Sequence, residues 1–251
     1  MFYPGLVSIS FRALTPDAVI ALCGRTGLTA IEWGTDSHVK TPDAATAVYR
    51  MGSDAGVLPC SCGSYYKLGV SPAEDLRTAL DIARELHTDT LRIWGGNRGS
   101  AELSEQDFQK MVKEAYAAAE LAETYGVTLC LECHPHTVTD RYESGLRFLN
   151  TVAHPRLRTY WQPNQFESLA YNLEAAEALA EDTRMIHVFA WSDKERFPLE
   201  NHADIWTRYL SIFAKTGKTY GTLLEFMPDD RPESLLHEAD TLKRILSNFQ
   251  K

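Results

Sequence analysis

The chain has 251 residues, 44% of them apolar and 24% charged, and a formal net charge of −9. This is ordinary globular composition, and the length suffices to bury roughly 70–75% of the unfolded surface. The acidic balance argues against sequence-independent binding to nucleic acid, which needs a basic excess to displace counterions from phosphates.

No run approaches the roughly 18 uninterrupted apolar residues of a membrane span, so no membrane partner is expected. The first residues, MFYPGLVSISFR, lack the basic-then-apolar pattern of a secretory signal. The five cysteines are Cys23, Cys60, Cys62, Cys130 and Cys133, an odd number, with four in or beside apolar strand-like runs. They read as buried reduced thiols of a cytoplasmic protein. The alternative, a CxC metal site, lacks a second Cys/His pair at zinc-finger spacing.

Along the chain, Leu6 to Phe11 is strand-like, and Thr15-Pro16-Asp17 opens a helix with Thr15 as N-cap and Pro16 at its first position. Leu28 to Trp33 reads as a second strand ending in Glu32, and Thr41-Pro42-Asp43 repeats the cap for a helix through Ala55. Val57 to Tyr66 is the third strand. Ser71 to Glu74 caps a third helix through Leu86, with Glu74 at the capping-box position. Thr90 to Trp94 is the fourth strand, followed by the glycine-rich turn Gly95 to Ser100. A long helix then runs from Ser104 to Tyr125, capped by Gly126.

Val127 to His136, VTLCLECHPH, is an apolar strand ending in Glu132, His134 and His136. Burying a carboxylate on a strand costs several kcal/mol unless a cation, proton or hydrogen bond compensates it. A helix over Arg141 to Val152, a strand over Leu157 to Trp161 and a helix over Ser168 to Ala180 follow. Arg184 to Trp191 is the seventh strand and Ala203 to Thr216 the next helix. Gly221 to Phe226 repeats the strand-with-carboxylate pattern at Glu225, and Pro232 to Phe249 is the last helix.

Eight strand–helix units in one chain match a single (β/α)8 TIM barrel spanning 1–251. A doubly wound open sheet is the alternative, but Ser10-Phe11-Arg12-Ala13 offers no glycine-rich turn after the first strand. In such a barrel the active site lies at the C-terminal ends of the strands. Those ends carry Glu32, Ser64 and Tyr65, Arg92, Glu132 and His134, Gln162, His187 and Glu225. Several have plainer readings: Glu32 and Arg92 as a structural ion pair, His134 as a hydrogen-bonded strand-end histidine, His136 as an exposed loop residue. Trp33, Trp94, Trp161 and Trp191 are either packing aromatics or a surface for the apolar face of a sugar. Arg196 is a turn residue or a contact for an anionic substrate. The Gly95 to Gly99 turn is flexible connection or a phosphate cradle.

The segments SISFR, IEWG, LECH, TYWQP, IHVFAW and LLEF, with Glu132 on the fifth strand and Glu225 on the eighth, resemble the xylose-isomerase-like TIM barrels. That resemblance covers essentially the whole chain. It implies one divalent ion (Mn²⁺, Mg²⁺ or Co²⁺) held by Glu, Asp, His and Glu from strands five to eight. Here those positions are Glu132, Gln162, His187 and Glu225, with an amide where the family has Asp, and the family's histidine often aligns nearer Phe189 or Ala190. The implied activity is isomerisation or epimerisation of a sugar or sugar phosphate, with Glu132 and Glu225 as acid and base. Trp33, Tyr65, Arg92, His134 and Arg196 would contact substrate. A dehydratase or lyase acting on an inosose or keto acid is the second expectation, and a sugar-binding barrel without catalysis the third. Homo-oligomers are common among such barrels.

Overall fold

The computed structural model describes residues 1–192 and 194–250. Eight parallel strands close in sequence order: β1 Phe2–Val7, β2 Ala30–Gly34, β3 Leu58–Lys67, β4 Thr90–Trp94, β5 Thr128–Glu132, β6 Leu157–Trp161, β7 Thr183–Val188 and β8 Tyr220–Leu224. β8 pairs with β1, so the sheet has no edge. The helices between and after them are α1 Pro16–Thr26, α2 Pro42–Ala55, α3 Ala73–Glu85, α4 Glu105–Thr124, α5 Tyr142–Val152, α6 Leu169–Leu179, α7 Ala203–Ala214 and α8 Leu235–Ser247. The expected barrel is the fold.

Side-chain alternation along each strand decides what faces the site. On β2, Ile31 and Trp33 join the core between barrel and helices, so Glu32 points inward. Leu91 and Ile93 do the same on β4 and leave Arg92 inside; Leu129 and Leu131 on β5 leave Cys130 and Glu132; Ile186 and Val188 on β7 leave Met185 and His187. Inside the barrel Val7, Ile9, Cys130, Tyr160, Met185 and Leu223 pack together, with Ile9 reaching the cavity at the mouth. This packing is largely apolar, and the cavity that meets the polar residues lies at the strands' C-terminal ends.

Some local expectations shift. β1 starts at Phe2 and stops at Val7, and Ser8–Phe11 is a 3₁₀ turn rather than strand. The reason is local: Ser8 Oγ accepts the Gly34 N–H at 2.9 Å, so a side chain takes the place of strand pairing. Ser71 does not cap α3. Its hydroxyl accepts the Lys67 N–H at 3.0 Å, and the helix begins behind Pro72 without a capping box. Thr15 precedes α1 without a side-chain cap bond, whereas Thr41 caps α2 through Ala44 at 3.2 Å. β7 ends at Val188, short of Trp191, and a 3₁₀ turn, Pro232–Ser234, precedes α8. All five cysteines are free. Among the described residues no helix is long and apolar enough to cross a membrane.

Candidate active site

Arg92 lies almost fully buried at the centre of the barrel mouth. Its Nε donates to Glu32 Oε1 at 2.9 Å, and its Nη1 donates to Glu132 Oε2. One guanidinium thus bridges carboxylates from β2 and β5. Gly63 on β3 makes room for the bridge, because a Cβ there would sit 2.6 Å from Glu32 Oε1 and 3.0 Å from Arg92 Nη2.

His187 stands beside this bridge, fully buried. Its Nε2 is 3.4 Å from Glu32 Oε2, which also accepts from Ser61 Oγ at 3.1 Å. Its Nδ1 faces Gln162 Oε1 at 3.0 Å, Glu225 Oε2 at 3.3 Å and Glu132 Oε1 at 3.6 Å. The two ring nitrogens therefore have different surroundings. Glu32 accepts the Nε2 proton and orients the ring, as carboxylates commonly do for metal-ligating histidines. The Nδ1 edge points at two carboxylates and a carbonyl.

Burial opposes ionisation of Glu32, but Arg92 and His187 outweigh it and hold the carboxyl down at about 2. Glu132 is likewise held well below the usual carboxylate range, against burial, chiefly by Arg92 and then His187. Burial pulls the His187 pKa down, yet Glu225, Glu32 and Glu132 together push it well above that of a free histidine. Without an ion, His187 is thus an imidazolium whose Nδ1 proton lies between carboxylates.

The donor set suits a divalent cation. One ligand atom each from Glu132, His187 and Glu225 lies within 4.8 Å of the others, all on buried residues, and Gln162 Oε1 is adjacent. Two carboxylate oxygens, an imidazole nitrogen and an amide carbonyl fit hard to borderline ions. An ion would take the place of the Nδ1 proton. A second group, Glu120, Glu123 and His154, sits on the outside of the barrel. There His154 Nδ1 accepts the Arg156 N–H at 3.1 Å, so Nε2 carries the proton and donates it to Glu120 at 2.9 Å. That arrangement leaves no nitrogen lone pair for a metal.

Above the inner cluster opens a cavity of about 400 Å³, lined on its polar side by Tyr65, Arg92, Glu132, His134, Gln162 and Glu225. Trp94 and His134 stack at 4.2 Å on one wall, and Trp191 and Phe226 pack at 5.4 Å on another. His134 Nδ1 lies 2.8 Å from the Pro135 carbonyl, which can only accept; the ring proton is therefore on Nδ1, and Nε2 is left as the open nitrogen. Phe226, directly after Glu225, has φ +56°, a left-handed conformation rare for a bulky residue, and its N–H donates to Ser10 Oγ at 2.8 Å. That turn sets both the carboxylate and the aromatic wall.

Two residues expected to touch substrate lie elsewhere. Trp33 is 1% exposed in the core between barrel and helices, because it alternates with inward-facing Glu32. Arg196 is paired with Asp230 and lies over Trp191 and Phe226 at 4.9 and 4.8 Å, behind the wall rather than in the cavity. Trp161 is also buried, against Trp206, Tyr209 and Phe213. At the Gly95 turn, Asp140 accepts the Ser100 N–H, Asp107 pairs with Arg98, and a small separate cavity is lined by Gly96, Asn97, Arg98 and Lys110. Conversely, Glu32, Ser10 and Phe226 belong to the site architecture. Glu32 was legible as an inward carboxylate between Ile31 and Trp33. Nothing in the sequence marks Ser10 or the backbone of Phe226.

Residues 20–245 match the family profile described as a xylose isomerase-like TIM barrel. A 77-residue segment is 35% identical to a 3-dehydroshikimate dehydratase from Bacillus anthracis, spanning 31% of this chain but only 28% of that protein. Among solved structures, the probable 3-DHS dehydratase AsbF of Bacillus anthracis superposes with TM-score 0.79 at 19% identity, covering 97% of this chain and 99% of that one. The IOLI protein with a bound zinc atom gives 0.76 at 14% identity, with 99% of each chain covered. D-psicose 3-epimerase from Clostridium cellulolyticum H10 gives 0.73 at 11% identity, covering 99% and 100%. At those identities the superpositions establish a shared fold.

Proposed function

The chain belongs to the xylose isomerase-like TIM barrel family, and on that premise we propose that it is an isomerase or epimerase of a sugar or sugar phosphate, moving a proton between carbons beside a carbonyl. The observation that carries this reading is the convergence of Glu132, His187 and Glu225 within 4.8 Å beneath a cavity of small-ligand size. These three would hold a divalent ion such as Mn²⁺, Mg²⁺ or Co²⁺, with the Gln162 carbonyl as a neutral fourth donor. When bound, the ion supplies Lewis acidity that polarises a substrate carbonyl and acidifies the neighbouring C–H.

The chain's own residues divide the remaining work. Glu225 lines the cavity and has no guanidinium partner, so it is the carboxylate available to take a proton from carbon. Glu132 lines the same cavity, but Arg92 binds one of its oxygens and keeps it ionised, which makes it a poor resting proton donor. This asymmetry favours Glu225 both removing and returning the proton, a shift between adjacent carbons. Epimerisation would instead need Glu132 to act from the opposite face, released from Arg92. Tyr65 and His134 line the cavity where substrate hydroxyls would lie.

One observation favours a second reading, a dehydratase. His134 presents an open Nε2 to the same cavity as Glu225. Glu225 would remove the α-proton, and a protonated His134 would deliver a proton to the β-hydroxyl as its C–O bond breaks, releasing water and leaving a conjugated C=C. The segment similarity to a 3-dehydroshikimate dehydratase supports the same chemistry.

Product analysis on Mn²⁺-loaded protein separates the two. An isomeric sugar without new ultraviolet absorbance supports the isomerase, an enone absorbance without an isomeric sugar supports the dehydratase, and neither product from any polyhydroxy ketone, inosose or keto acid removes both.

A further inference from the structure

Ser61 reaches the interior of the barrel because β3 carries one extra residue. Ile31 and Glu32 are consecutive on β2, yet their partners on β3 are Pro59 and Ser61, so Cys60 is the additional residue. Cys60 packs against the cluster inside the barrel. Strict alternation would then turn Ser61 outward and Cys62 inward. The opposite holds: Cys62 joins the core between barrel and helices, and Ser61, fully buried, donates to Glu32. Gly63, two residues on, faces Glu32 and Arg92 as well. The extra residue thus re-aims the rest of β3 at the ion-pair bridge.

The consequence falls on the second oxygen of Glu32. Oε1 accepts from Arg92 at 2.9 Å, whereas Oε2 accepts from Ser61 Oγ at 3.1 Å and faces His187 Nε2 at 3.4 Å. That last distance exceeds the usual range of about 2.7–3.2 Å, so His187 alone holds Oε2 weakly. A carboxylate fixed at one oxygen can still rotate about that contact. Ser61 removes this freedom. Its proton goes to Glu32, which only accepts, so the Cys60 thiol, 3.8 Å from Ser61 Oγ, is the donor in that contact. Tyr160 meets the His187 ring edge-on at 5.1 Å and 90°, which limits its tilt from another side. The direction of Nδ1, towards Glu132 and Glu225, is then set by where Glu32 Oε2 stands.

We propose that Ser61, turned inward by the extra residue in β3, is a positioning residue that fixes Glu32 against His187 and thereby sets how tightly Glu132, His187 and Glu225 hold a divalent ion. This rests on the reading of those three residues as an ion site. Ser61 is not among the residues lining the cavity and acts through Glu32.

Calorimetric titration of the full chain with Mn²⁺, alongside urea unfolding of the ion-free protein, tests the assignment. Ser61→Ala is expected to bind Mn²⁺ about tenfold more weakly than the parent, as on removing an outer-shell partner. Ser61→Cys keeps the side chain's size but donates weakly, and a loss of at least about threefold is expected. It carries the comparison if the alanine variant does not fold. Ser61→Ala combined with Glu32→Gln is expected to bind no more weakly than Glu32→Gln alone, because the hydroxyl acts only through that carboxylate. A hydroxyl that merely stabilises the fold would lower the urea midpoint and leave Mn²⁺ affinity within about twofold of the parent, which overturns the proposal. Losses that multiply in the double variant overturn it too. A parent chain that takes up no Mn²⁺ removes the ion reading itself, and the role of Ser61 with it.

Discussion

Glu32 Oε2 and His187 Nε2 meet 3.4 Å apart across the barrel mouth, although 155 positions separate them in sequence. Glu32 uses its other oxygen to accept from Arg92 at 2.9 Å, so one carboxylate orients the histidine and anchors the guanidinium that holds Glu132. Glu32 is thus a positioning residue for the ligand set without being part of it.

Glu32→Gln is accordingly expected to weaken divalent-ion affinity about 10- to 100-fold, the usual effect of removing an outer-shell partner. Metal-free stability should drop by about 3–5 kcal/mol, because Arg92 loses one of its two buried anions. Calorimetric metal titration and urea unfolding measure the two effects. Unchanged metal affinity would show that His187 needs no support from Glu32.

Gly63→Ala offers a steric counterpart without changing any charge. The added Cβ would lie 2.6 Å from Glu32 Oε1, and the buried carboxylate must shift off Arg92. A loss of about 1–3 kcal/mol is expected, typical of overpacking, together with weaker metal binding. A variant as stable as the parent would mean that the bridge tolerates displacement.

The acid limb of stability follows from the same residue. Glu32 titrates at about 2 in the folded chain, against roughly 4.3 when unfolded. Its folded pKa is lowered, so its contribution is fully present above about pH 4.5 and is lost as pH falls towards 2. Glu132, also lowered, acts in the same direction. In metal-free protein, Glu32→Gln is expected to flatten unfolding free energy against pH in that window. An unaltered slope would assign the acid sensitivity to other groups.

Metal uptake should release protons. His187 is cationic in the ion-free cluster, and its Nδ1 must lose a proton to act as a ligand. Titrations in buffers of different ionisation enthalpy at pH 7 are expected to show about one proton released per ion. Release near zero would place the ion away from His187.

Ser10→Ala probes the turn behind Glu225. Losing the hydroxyl removes the acceptor for the Phe226 N–H and leaves a left-handed phenylalanine without its partner. A cost of about 1 kcal/mol is expected in stability, with a larger loss in turnover as Glu225 and the aromatic wall relax. Full turnover would show that strand pairing alone sets Glu225.

Much of this arrangement was legible before the fold was seen. The repeat of strand and helix implied the barrel, and the barrel brought Glu132, Gln162, His187 and Glu225 to one mouth. The parity of β7 resolves the position of His187, because Ile186 and Val188 occupy the outer core and leave His187 inside. Parity also explains Trp33: its neighbour Glu32 took the inward position, so the tryptophan packs outward. The parts that sequence could not reveal depend on partners distant in the chain. That Arg92 bridges two carboxylates, that Arg196 is committed to Asp230, and that Ser10 braces Phe226 are consequences of three-dimensional closure.

The central claim is that Glu225 moves a proton at carbon beside a carbonyl. Solvent-exchange NMR in D₂O, on metal-loaded protein with an uncharged ketose, tests it most directly by comparing the parent chain with Glu225→Gln. The expected result is deuterium entering at the carbon adjacent to the carbonyl with the parent, and exchange slowed by about 10²–10⁴-fold in the variant even at ion concentrations that saturate its weakened site. Exchange at the parent rate in Glu225→Gln, or none in the parent with any ketose it binds, would contradict the account.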